Sequence, residues 1–267
     1  TWCLTVMVEK KEAKDKLAKE SLVPEKIDGI PTDVMEVGKI EALAFDARLR
    51  PAQPGYTLGH YNITAGTFGC LVRDKRVCCG EDADDIRILS NNHVLANTNA
   101  ANIGDAILQP GPFDGGEFPA DSIATLARYE EIVFGASGYN LIDAALAKPT
   151  ANRNVIAAII GSVVPTGVSQ AFPFDSVVKA GRTTEVTTGL VLATNATVNV
   201  GYGLAGVAQF RHQILTTAMA AGGDSGSLLM NFDLEAVGLL FAGSPIITIH
   251  NHIADVQNAL GVEVVTE

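Results

Sequence analysis

Residues 218–230 read "AMAAGGDSGSLLM", an acid and two hydroxyls among glycines, set between two apolar runs. A tight turn is one reading. The other is that Ser225 is held up as a nucleophile. A serine hydroxyl is a weak nucleophile at neutral pH. It needs a base within hydrogen-bond reach, and that base needs a third group to fix its tautomer. Gly222, Gly223 and Gly226 suit such a role, because the backbone must turn sharply there and come close to a substrate.

Five histidines compete for the part of base: His60, His93, His212, His250 and His252. His93 stands in "RILSNNHVLAN", directly after an apolar strand, which places its imidazole at a strand end facing a cleft. His212 in "QFRHQIL" is its main competitor. The third group should be a buried acid. Asp143 in "NLIDAALAKP" has apolar neighbours, and an acid there is costly to bury unless it is paired. Asp105 in "IGDAIL" is the runner-up. Asp114 and Asp121 sit among glycines and prolines and read as surface turns.

The elements that must position these residues read as strands. From Asn62 onward, short runs rich in Val, Ile, Leu, Thr and Ala alternate with Gly, Asn, Asp and Pro, the pattern of a sandwich or barrel. Residues 47–158 and 159–267 are each long enough for one barrel. "NHIADVQNALGV" then reads as a closing helix with Ile253, Val256 and Leu260 on one face. Ahead of the barrels, residues 1–46 read as strand, charged helix and strand. "RLRPAQPGYTLGH" reads as the linker between them. The leading unit could pack as a fixed structural element, act as an inhibitory segment, or serve as an oligomer contact.

Composition narrows the partners. The net charge of −11 over 267 residues argues against nucleic acid and against an anionic membrane surface, both of which call for clustered Lys and Arg. No apolar run has the length of a membrane span. Cys3, Cys70, Cys78 and Cys79 fit neither a disulfide framework nor a zinc site, so reduced thiols and a cytoplasmic lean are expected. The chain starts at Thr1 rather than Met, which fits removal of an upstream segment and leaves localisation open. No metal and no cofactor are expected, because no ligand cluster or phosphate loop has the required spacing.

The order His93…Asp143…Ser225 is one known for such a triad. "GGDSGSLL", "ILSNNHVLA", "IDAALAKP" and "VGLLFAGS" together resemble the serine, histidine, aspartate and pocket segments of the trypsin/chymotrypsin-like serine proteases. More narrowly, "VMVEKK", "ITAGTFGCLV", "IGDAILQPGPFDGG" and "KAGRTTEVTTG" resemble a bacterial branch related to the plant NARROW LEAF proteins. That resemblance spans nearly the whole chain. It implies a mainly β, chymotrypsin-like double β-barrel carrying the small N-terminal unit and the C-terminal helix.

It also implies peptide hydrolysis, with Ser225 as nucleophile, His93 as base and Asp143 as orienting acid. The N–H groups of Gly223 and Ser225 would form the oxyanion hole. Met219 would floor the specificity pocket, with Phe241, Ala242 and Gly243 along one wall. No acid lines it, so an apolar P1 residue is expected. The partner would be a protein or peptide substrate, and homo-oligomerisation is open. A protease-like scaffold or binding module is the alternative. In relatives activated by cleavage, the acid matching Asp224 pairs with a new amino terminus. Thr1 is poorly placed for that, so Asp224 needs another partner. Glu185 departs from the pattern, standing where glycine is expected.

Overall fold

In the computed structural model, residues 3–8, 10–13, 16–18, 21–36, 45–63, 65–76, 86–159 and 163–266 are described. The chain divides into two compact units, residues 1–43 and 44–267. In the first, β1 (Leu4–Val8), β2 (Lys26–Ile27) and β3 (Ile30–Glu36) form a sheet in the order β1-β3-β2. β1 and β3 run parallel, which requires a crossover connection. The expected helix lies partly on residues 14, 15, 19 and 20, outside those described. The described part holds two i→i+3 turns, Ala13 to Lys16 and Ala18 to Ser21.

The second unit holds two curled sheets and is a mainly β double barrel. The first sheet contains β4 (Thr57–His60), β5 (Gly66–Thr67), β6 (Cys70–Asp74), β7 (Ile86–Ser90), β8 (Ala106–Leu108), β9 (Ser122–Tyr129) and β10 (Ala145–Pro149). A short helix, α1 (Asn92–Leu95), follows β7. The second sheet contains β11 (Gly167–Val168), β12 (Ser176–Gly181), β13 (Glu185–Gly201), β14 (Val207–Thr217), β15 (Leu228–Asn231), β16 (Glu235–Gly243) and β17 (Ile247–His252). Helix α2 (Ile253–Leu260) buries Ile253, Val256 and Leu260, the face its periodicity predicts. The final strand, β18 (Val262–Val264), returns to pair with β6 at the edge of the first sheet.

Period-two alternation explains why the middle strands are apolar throughout. In β6, Cys70 and Val72 face the seam between the sheets, whereas Leu71 points into the first barrel. Leu228 and Met230 of β15 face the same seam, and Leu229 points into the second barrel. Strands buried on both faces cannot alternate with polar residues. The seam core is closed by α2.

The segment expected as a linker is tied down. Ala52 is fully buried, its N–H donates to Asn154 O, and β4 is buried along its whole length. Arg48 and Arg50 hold Asp121 across the same region. The prolines and glycines there shape a fixed path and do not loosen it. Among the described residues, no helix is long and apolar enough to cross a membrane.

Candidate active site

Antiparallel pairing brings together residues far apart in sequence. Ser90 at the end of β7 lies opposite Ala145 at the start of β10. His93 follows Ser90 on α1, and Asp143 precedes Ala145, so the register alone makes them neighbours. His93 Nδ1 lies 2.6 Å from Asp143 Oδ2, and the His93 N–H donates to Oδ1 at 3.2 Å. Asp143 is fully buried. Its own N–H donates to Asn251 Oδ1 at 3.0 Å, and its carbonyl accepts from Asn91 Nδ2 at 2.7 Å. Asp143 Oδ2 also accepts from the Tyr202 hydroxyl at 2.8 Å. A carboxylate this buried and this well supplied with donors fixes the imidazole with Nε2 directed away from it.

Ser225 comes from the turn between β14 and β15, and the first sheet holds that turn. The Thr67 N–H donates to Ser225 O at 2.8 Å, and Thr67 Oγ1 donates to Gly223 O at 2.9 Å. Ser90 Oγ donates to Thr67 O at 2.8 Å, which ties the serine turn to the strand leading into His93. Gly223 (φ +101°) and Gly226 (φ +98°) both adopt left-handed backbone. A Cβ on Gly226 would collide with Ser90 Oγ and the Thr67 carbonyl. Among the described residues, the N–H groups of Gly223 and Ser225 have no acceptor, and no hydrogen bond joins Ser225 to His93.

Asp224 finds its partners inside the second barrel. Its carboxylate accepts from the N–H groups of Thr183 (2.7 Å), Thr184 (3.1 Å) and Ala221 (2.9 Å) and from Thr184 Oγ1 (2.7 Å). Lys179 Nζ lies 3.4 Å away, and both side chains are fully buried. Burial pushes the Asp224 carboxyl up. Thr184 and Ala221, the Lys179 charge and Thr183 outweigh that, and hold it below its ordinary value. Lys179 is pulled down by burial against the opposing pull of Asp224. Lys179 also donates to Glu185 O at 3.1 Å. Glu185 sits at φ +56°, a left-handed position that explains why glycine is expected there.

The runner-up residues pair elsewhere. His60 Nε2 meets Asp105 at 3.2 Å, and His212 Nδ1 meets Asp255 at 2.7 Å on the surface, stacked against His252. His250 is buried with Nε2 at 3.0 Å from Thr216 Oγ1. Asp114 is no surface turn: it is largely buried, accepting from Thr57 Oγ1 and paired with Arg182 beside Gly223. Asp121 is likewise mostly covered, by Arg48.

A cavity of about 410 Å³ opens beside Ser225, walled by residues 220–222 on one side and by Leu240 and residues 242–245 on the other. Met219 and Phe241, expected in its lining, do not line it. Met219 is buried with Ala171, Val177 and Leu229, and Phe241 packs against Phe210 with the rings tilted by 45°. The β16–β17 register shifts between Leu240 and Ala242, and Phe241 at that irregularity packs with Ile132, Ala208 and Phe210 instead of facing the cavity. Sequence reasoning also missed Lys179, Asn251 and Tyr202. Lys179 did leave a signal, since a period of two puts it on the same face of β12 as the buried Val177.

Solved structures share this fold. Thermobifida fusca Protease A is matched at 21% identity and a TM-score of 0.57, over 81% of this chain and 100% of that one. The chymotrypsin of Cellulomonas bogoriensis is matched at 19% identity and 0.55, over 81% and 100%. A glutamic acid specific serine protease that uses a histidine triad in substrate binding is matched at 19% and 0.56, over 80% and 100%. The fold is that of the chymotrypsin-like serine proteases. No family model and no curated protein matches the chain. In the chymotrypsin-like fold of this chain, His93 on α1 and Asp143 ahead of β10 are held by the first sheet, and Ser225 lies in the β14–β15 turn of the second, with Thr67 as the bridge between them.

Proposed function

We propose that the protein is a serine endopeptidase that cleaves peptide bonds through an acyl-enzyme on Ser225. Residues 47–158 supply the base and the orienting acid, and residues 159–267 supply the nucleophile. Ser225 Oγ attacks the scissile carbonyl carbon as its proton passes to His93 Nε2. The tetrahedral intermediate collapses, the C–N bond breaks, and His93 returns the proton to the leaving amine. Water then repeats the attack on the acyl group. Asp143 holds the tautomer and stabilises the imidazolium. The N–H groups of Gly223 and Ser225, without an acceptor among the described residues, would receive the oxyanion, and losing one such donor costs roughly 3–4 kcal/mol in transition-state stability.

The observation that carries this reading is the fully buried Asp143 bonded to His93 Nδ1 at 2.6 Å, in a fold whose other sheet presents Ser225 beside a cavity. Beside Ser225, the cavity walls are alanine, glycine, leucine, proline and one further serine, Ser244, a mostly apolar lining that favours a small or medium apolar P1 residue. They offer no cation or histidine to an acidic one, unlike the glutamate-specific neighbour. The narrower kinship with the bacterial branch related to NARROW LEAF proteins rests on the sequence motifs alone.

The missing hydrogen bond between Ser225 and His93 favours a second reading, a protease-like scaffold or binding module. Resting sites often tighten only with substrate, so the two readings divide on reactivity. Fluorophosphonate labelling, mapped by mass spectrometry, is the test. A label on Ser225 that is lost in Ser225→Ala and His93→Ala supports the endopeptidase. A folded sample that takes no label supports the scaffold.

A further inference from the structure

Tyr202 sits where β13 turns into β14, at the far end of the longest hairpin of the second sheet. The turn is tight: the Tyr202 N–H donates to Gly206 O at 2.8 Å, and Gly203 and Gly206 both have positive φ. That turn carries the tyrosine across to the first sheet. Its hydroxyl donates to Asp143 Oδ2 at 2.8 Å, the same oxygen that faces His93 Nδ1. Its ring stands edge-on to the His93 ring, with centroids 5.9 Å apart, and is backed by Phe134 at 5.7 Å and Phe210 at 6.2 Å.

From this geometry we infer that Tyr202 is a positioning residue of the His93–Asp143 pair, holding the carboxylate in the plane that His93 needs. The inference rests on the endopeptidase reading for its effect on rate, but not for its effect on His93 itself. A carboxylate rotates about a single bond to Cβ. The His93 main-chain N–H reaches Oδ1 only at 3.2 Å, so Oδ2 carries most of the orientation. Two donors on Oδ2, one from α1 and one from the turn between β13 and β14, remove that freedom. Burial and the Asp143 charge raise the Tyr202 phenol above its ordinary value, so it stays a donor across the working pH range. The aromatic packing keeps the ring in place even as charge builds on the imidazole.

The test variant is Tyr202→Phe, which keeps the ring and removes the hydroxyl. Phe134→Leu is the control, since it disturbs the same aromatic cluster and leaves the hydroxyl bond intact. Two readouts are needed: the rate of fluorophosphonate labelling at Ser225, and the downfield proton resonance of His93 Nδ1–H. In Tyr202→Phe the labelling rate should fall about tenfold or more, as for loss of a hydrogen bond to a buried charge. The Nδ1–H resonance should move or broaden. Phe134→Leu should leave both near the wild-type values. Wild-type rate and an unmoved resonance in Tyr202→Phe would overturn the inference. So would equal effects in the two variants, which would mark Tyr202 as packing alone. If the wild-type protein takes no label, the endopeptidase reading fails, and the resonance decides the role of Tyr202 by itself.

Discussion

Lys179 and Asp224 form a buried ion pair directly beneath the serine turn, and the two partners are not equally replaceable. Asp224→Asn leaves an ammonium in the barrel interior facing only neutral oxygens. Its expected cost is about 3–5 kcal/mol. Lys179→Met leaves a carboxylate that still accepts from Thr183, Thr184 and Ala221, so its cost should be clearly smaller. Urea midpoints of the two variants compare them directly, and equal losses would refute this account. His250 supplies a pH prediction. Burial, with a smaller push from Lys179, lowers it from 6.5 to about 3. Between those values the unfolded chain binds the proton and the folded chain does not. Stability therefore falls as pH drops through the unfolded value, by about 1.4 kcal/mol per pH unit, and stops falling on this account below the folded one. His252, also lowered by burial, acts in the same direction. The slope of unfolding free energy against pH should be shallower in His250→Gln.

At the scale of elements, the site depends on strand register more than on any loop. The pairing of Ser90 with Ala145 fixes His93 against Asp143, and the bonds from Thr67 fix Ser225 beside them. Gly226 is the tightest point of that construction. Gly226→Ala adds a left-handed backbone cost of about 1–3 kcal/mol to a steric collision with Ser90 and Thr67. It should lower the melting temperature and abolish labelling, while Gly201→Ala, in open space, should do neither. Much of this is legible in the sequence. His93, Asp143 and Ser225 stand out because each combines a reactive side chain with apolar or glycine neighbours. Partners supplied by distant elements do not. Tyr202 follows "TVNVG" like any hairpin residue, and only the fold carries it to Asp143. The pocket wall is misread for a related reason: a register shift between β16 and β17, invisible in the sequence, goes with Phe241 packing away from the cavity while Ala242 faces it. Asp114 is misread because turn composition says nothing of an arginine arriving from another barrel.

At the scale of the whole molecule, every buried apolar residue described lies at position 45 or beyond. Residues 44–267 should therefore fold alone. Removing residues 1–43 should leave the near-ultraviolet circular dichroism of the barrels unchanged, and loss of that signal would make the leading unit part of the fold. A rise in Ser225 labelling on the same deletion would identify it as an inhibitory segment. The return of β18 to β6 bears on how the chain is made. All other strands of the first sheet end by Pro149, yet its edge is completed by Val262–Val264. A ribosome delivers that last strand only after the entire second sheet has emerged. Until then β6 presents an unpaired edge, a template for pairing with neighbouring nascent chains. Synthesis order and assembly order are thus out of step, and crowded polysomes are where this protein is most exposed to misassembly.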